Sequence, residues 1–223
     1  MKGAIMNKIK GKLGMVLAAG SVWGFMEVGM GMYLRGTCSR FITGSVMTGI
    51  AIFFFALAYG LTNKAGTAVI LLGIASALKL LDAYLLHLPI LHGAVANPIY
   101  AFVTEATAFI FVVYIVGEKF KNSLSGNAIM GALSALIAAN LFPMVKIFTG
   151  IPACVLPGTN YPLALYYLPV SVGIAFISCP LGVYTGKELA GVTERNRKSI
   201  LVKVIPQVAT ILSIVFILLL RVT

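Results

Sequence analysis

Seven apolar runs, at approximately 13–34, 41–61, 67–88, 97–117, 126–147, 162–185 and 202–221, follow one another along the chain. Short polar breaks such as RGTCSR, TNKAG, GEKFKNSLSG and GKELAGVTERNRKS separate them. Each run has about the 20 residues that a helix needs to cross a hydrocarbon core of about 30 Å. The two-residue alternation of a barrel strand is absent, and the breaks are too short to hold a soluble domain. The pattern therefore predicts one all-α domain over residues 1–223, a polytopic membrane bundle of six to seven transmembrane helices.

Composition agrees. Of 223 residues, 60% are hydrophobic and only 10% charged, and the mean hydropathy is +1.00; a soluble domain carries about 25% charged residues. Lys and Arg set the orientation, because cytoplasmic segments keep positive charge. Twelve fall on one side (Lys2, Lys8, Lys10, Lys12, Lys64, Lys119, Lys121, Lys187, Arg195, Arg197, Lys198 and Lys203). Four fall on the other (Arg35, Arg40, Lys146 and Arg221), while Lys79 lies within a span. The N-terminus is expected in the cytoplasm and the C-terminus outside. A basic collar against anionic lipid headgroups accounts for the net charge of +11 without nucleic acid. The basic first residues resemble the start of a signal peptide, but no small-residue cleavage site follows before the glycine-rich first span, which is expected to stay.

Polar groups inside the spans change the picture. Glu27 lies in GSVWGFMEVGMG on the first span, Lys79 and Asp82 on the third, Glu105 on the fourth and Asn140 on the fifth. With a rise of about 1.5 Å per residue, all five lie about 9 to about 13 Å below the outer boundary. Ionisable groups at membrane depth face a bundle interior or a cavity, so one layer suggests one polar cavity open to the outside. Three carboxylates against one ammonium would be costly to bury uncompensated; either a carboxyl is protonated, or the cavity receives a cationic or donor-rich ligand. Lys79 and Asp82, at i and i+3, can pair along a helix face, leaving Glu27 and Glu105 for a ligand or a proton. The alternative is that these charges only tie helices together. Trp23, Gly20, Gly24, Glu27 and Gly31 share one sector of the first helix. The glycines there either admit a neighbouring helix or leave room for a small molecule on which Trp23 would stack.

Elsewhere, Gly14, Ala18 and Ser21 form a strip of small residues on the other side of the first helix, suited to packing within the chain or to docking a separate membrane subunit. Asn97-Pro98 is expected to start the fourth helix, Asn as cap and Pro first, with the Asn97 amide at the cavity rim. His87 and His92 flank that outer loop and read as ordinary loop residues, not a metal site. The proline-rich outer connection 148–167 is expected either to fold over the cavity mouth or to lie as a plain interfacial loop. Cys38 and Cys154 both fall in outer loops, where an oxidising compartment would allow a disulfide; Cys179 reads as a packing residue. No Walker A, HExxH or GxSxG pattern occurs, so no ATPase, zinc-protease or hydrolase chemistry is expected, nor any cofactor.

A small chain of about six helices, a basic inner face, small residues at Gly14 and Ala18 of the first helix and outward polar groups together resemble the substrate-binding S components of energy-coupling factor (ECF) importers. The resemblance is one of architecture and covers about residues 1–185. S components typically carry alanine-spaced small residues on that helix, where this chain has one glycine, and the span 202–221 exceeds their usual six. The histidine-bearing N-terminus of the cobalt and nickel branch has no counterpart in MKGAIMNK. The resemblance implies a binder of a vitamin-like micronutrient in a prokaryotic plasma membrane, working with a T-type membrane subunit and ATPase subunits. Glu27 and Glu105 would neutralise or accept from the ligand, Trp23 stack on it, and Asn97 and Asn140 orient it. Two other classes fit the same residues: a proton-coupled carrier using Glu27 or Glu105, and a membrane enzyme or assembly subunit acting on lipid or a quinone.

Overall fold

The computed structural model describes residues 2–37, 40–120, 122–196 and 200–222, with side chains described over 11–29, 42–117, 122–196 and 204–221. It is an all-helical bundle. The long helices are α1 (Lys2–Thr37), α2 (Arg40–Thr62), α3 (Thr67–Leu85), α4 (Gly93–Phe120), α5 (Leu124–Leu141), α8 (Leu168–Arg195) and α9 (Ile200–Val222). Two short helices, α6 (Val145–Thr149) and α7 (Leu163–Tyr166), lie in the connection between α5 and α8. Among the described residues, six segments are long and apolar enough to cross a membrane: Ile42–Thr62, Thr67–Leu85, Gly93–Gly117, Leu124–Thr149, Leu168–Arg195 and Val204–Arg221. Helix α1 runs beside them with glycines, Lys12 and Glu27 diluting its apolar content. The chain is an integral membrane protein.

Local chemistry sets the helix ends, and twice it moves them from their expected positions. Helix α4 does not start at Asn97-Pro98. It starts at Gly93, because His92 supplies the cap: its Nδ1 accepts the Ala94 N–H at 3.2 Å, and its carbonyl accepts the N–H groups of Val95 and Ala96. Pro98 is left inside the helix, within the first turns. The run 162–185 is likewise displaced, since Tyr166 ends α7 and α8 begins at Leu168 and continues to Arg195. Helix α3 ends in a Schellman turn, with His87 N–H on the Tyr84 carbonyl and Leu88 N–H on that of Ala83. His87 occupies the left-handed position, φ 52°.

Glycines bring the helices to backbone contact. Cβ atoms at Gly182 and Gly186 of α8 would collide with α2 main-chain atoms at Phe53 and Leu57, and Gly60 of α2 faces the Val183 carbonyl in the same way. Gly131 joins α5 to α8 at Ala175 and Cys179, which is fully buried as a packing residue. On α1, Gly20 and Gly24 meet Ile74, Leu78 and Ala75 of α3; of the two roles those glycines could play, they serve helix approach. Trp23 sits at the centre of the core, its ring edge-on to Phe55 (5.0 Å) and Phe102 (5.1 Å).

Candidate functional site

Helices that alternate in direction bring α1, α3, α5 and α9 to one end of the bundle with their C-terminal parts, and α2, α4 and α8 with their N-terminal parts. That end, which the Lys and Arg distribution assigns to the outside, contains a cavity of about 850 Å³. Glu27, Lys79, Asp82, Asn97 and Glu105 all line it, so four of the five groups expected in one layer, and the expected rim amide, meet around one space.

The lining carries charges of both signs. Asp82, 2% exposed, receives Lys79 Nζ at 3.1 Å, the expected i,i+3 pair, and also Arg221 Nε at 2.6 Å. Arg221 comes from the end of α9, which lies along α1 and also touches α3. Glu27 and Glu105, both buried, also line the cavity. Glu27 accepts a hydrogen bond from Trp23 Nε1 at 3.2 Å, and Thr48 is the hydrogen-bonding neighbour of Glu105. Among the described lining residues, three carboxylates stand against two cations and leave one formal negative charge.

The remaining polar lining is unevenly satisfied. The Ser171 hydroxyl donates to Ser45 Oγ at 2.9 Å, closing the side where α2 and α8 begin. Asn97 Oδ1 and Thr43 Oγ1 are buried without a hydrogen-bond partner among the described residues. Buried polar atoms are almost always paired; Asn127 Oδ1 and Ser178 Oγ, away from this cavity, are unpartnered too, but the two on lining residues sit where a bound molecule would complete them. Pro98, which also lines the cavity, has no N–H to offer the Ala94 carbonyl one turn back.

The connection 148–167 forms part of the mouth, with Ile151, Pro152, Cys154, Leu163, Ala164 and Tyr167 in the lining. It is folded, not slack: Leu156 N–H bonds to the Tyr161 carbonyl at 2.9 Å and Leu163 N–H to that of Cys154 at 2.9 Å, around a turn in which Gly158 has φ 78°. Tyr100 braces it, stacking on Phe148 at 5.5 Å. Residues of the segment thus reach the cavity lining. Cys38, the other cysteine of the expected disulfide, lies outside the described residues.

Two expectations require correction, and of the two uses open to the small-residue strip the structure takes packing within the chain. Asn140 is on the exposed side of α5, its Nδ2 donating to the Leu136 carbonyl at 2.8 Å; Ala138 and Ala139 face the cavity instead, because the residue falls one helical step away from that face. Trp23 does not line the cavity. Phe55 and Phe102 already occupy its ring, and it reaches the site only through its bond to Glu27. The strip at Gly14, Ala18 and Ser21 is covered by α9 of the same chain: Gly14 faces Pro206, and Ser21 Oγ lies 3.3 Å from Thr210 Oγ1. Ala18 is 8% exposed.

Arg221, Thr43 and Thr48 escaped the sequence reading. Arg221 counted only as an interfacial cation, yet a layer with surplus negative charge and a basic residue ending the last span at the same depth was the available signal. No family model, curated protein or solved structure matches this chain.

Proposed function

We propose that this membrane protein takes part in transport by capturing a small molecule in the cavity at the outer end of its bundle, as the substrate-specific subunit of an ATP-driven importer of the ECF kind. The carrying observation is the cavity itself: about 850 Å³, lined by buried charges and by the unpartnered Asn97 and Thr43 oxygens. A vitamin-like micronutrient is of the size that such a volume holds. In this reading the molecule enters under the 148–167 segment, Glu27 and Glu105 accept its donors, Asn97 and Thr43 fix its orientation, and Asp82 with Lys79 and Arg221 keeps α3 and α9 together around it. A T-type membrane subunit and ATPase subunits then drive its release inward. Because α9 covers the strip at Gly14, Ala18 and Ser21, that subunit would dock on another face.

A proton-coupled carrier is the second reading. It is favoured by Glu27 and Glu105, buried carboxylates to which no Lys or Arg pairs among the described contacts. Depletion of small molecules from the medium, followed by untargeted mass spectrometry on cells expressing this chain alone, separates the two. The importer subunit removes at most about one molecule per chain until its partners are co-expressed. Depletion far beyond that by the chain alone would establish the carrier.

A further inference from the structure

Resting on the reading of the cavity as a binding site, we infer that its ligand is an organic cation bearing N–H donors at one end and an apolar body at the other. The assignment comes from which groups in the cavity are already answered. Among the described residues its two cationic side chains, Lys79 and Arg221, both lie on Asp82. What is left on the lining residues consists mainly of acceptors: Glu105, the second oxygen of Glu27 and, buried behind the cavity surface, the unpartnered Asn97 Oδ1, with the buried Thr43 hydroxyl able to serve either way. An anion would meet two carboxylates in a low-dielectric site, and a neutral acceptor would leave the orphaned oxygens unanswered. A monocation cancels the one formal negative charge, and its N–H groups make charge-assisted bonds to the carboxylates.

The apolar half of the ligand follows from the rest of the wall. Val28, Met47, Phe102, Leu86, Phe142 and Ile151 line the same space, so an apolar body gains by leaving water. A small, strongly hydrated inorganic ion would use the carboxylates and leave most of the volume unfilled.

The test uses the full-length, detergent-purified protein and a small-metabolite cell extract separated at neutral pH into cation-retained, anion-retained and unretained fractions. Thermal unfolding is followed with each. The cation-retained fraction is expected to raise the Tm of the wild type, and the other two to leave it unchanged. In Glu105→Gln and Glu27→Gln the amount needed for half the shift should rise about tenfold or more. Thr43→Val, a near-isosteric change, gives the same direction where a carboxamide variant does not fold, and Asn140→Ala keeps the wild-type response. Stabilisation by the anion-retained or unretained fraction alone overturns the cation assignment and leaves the pocket standing. So does a cation-fraction shift of full size in both carboxamide variants and in Thr43→Val. A wild type that responds to no fraction removes the pocket reading itself, and the cation assignment with it.

Discussion

At Asp82 one carboxylate holds two cations, Lys79 from its own helix and Arg221 from the last one. Removing the charge between them takes from both the buried carboxylate they share, a change that costs about 3–5 kcal/mol at buried pairs. Asp82→Asn is therefore expected to lower stability by that order, read as a large drop in Tm in detergent. Asp82→Asn combined with Arg221→Gln should recover part of the loss, because one of the two cations that Asp82 holds is gone. An additive double variant would mean that the two side chains do not depend on each other. His87 provides a change of opposite sign. It holds a left-handed backbone at the end of α3, and His87→Gly removes the Cβ that disfavours that conformation. The variant should unfold at higher temperature, by about 1 kcal/mol of added stability. At this scale the sequence was informative for Glu27, Lys79, Asp82 and Glu105, because a charge inside an apolar run is conspicuous and its depth can be counted. It was misleading for Trp23 and Asn140, since a helical position fixes depth much better than facing.

Among the helices, α2 and α8 touch at the level of the backbone. Nothing larger than glycine fits at 182 or 186 without displacing α2. In lipid, where apolar side chains gain little by leaving the solvent, such close approach supplies dispersion contacts that hold helices together. Gly182→Leu is expected to cost at least about 3 kcal/mol or to abolish folding. Gly73→Leu, at a glycine on α3 whose added Cβ would meet nothing, should be tolerated. Comparable Tm values for the two variants would contradict the close-contact account. The Gly182-x-x-x-Gly186 spacing was visible in the chain, but small residues recur in most of these spans and do not name their partner. Helix existence was legible throughout because hydrophobic length decides it. Two starts were not, since His92 capping α4 and the break between α7 and α8 depend on local hydrogen bonds that apolar pattern does not register.

Over the whole molecule, alternating helix direction turns residues distant in the chain into one cavity: Glu27 near the start, Glu105 in the middle and Arg221 near the end. Depth counting anticipated this gathering. The contribution of the 148–167 segment to the lining and the passage of α9 along α1 were not determined by it, because contacts between helices in lipid follow side-chain fit more than hydrophobicity. The central claim is that the cavity retains a small molecule through its buried carboxylates. Native mass spectrometry of the detergent-purified protein, wild type beside Glu27→Gln, tests it most directly. The expected result is a stoichiometric added mass on the wild type that is depleted in the variant, while both keep the same helical content. An equal added mass on the two proteins would remove Glu27 from the site, and a wild type that carries none, even after exposure to a metabolite extract, would contradict the binding function.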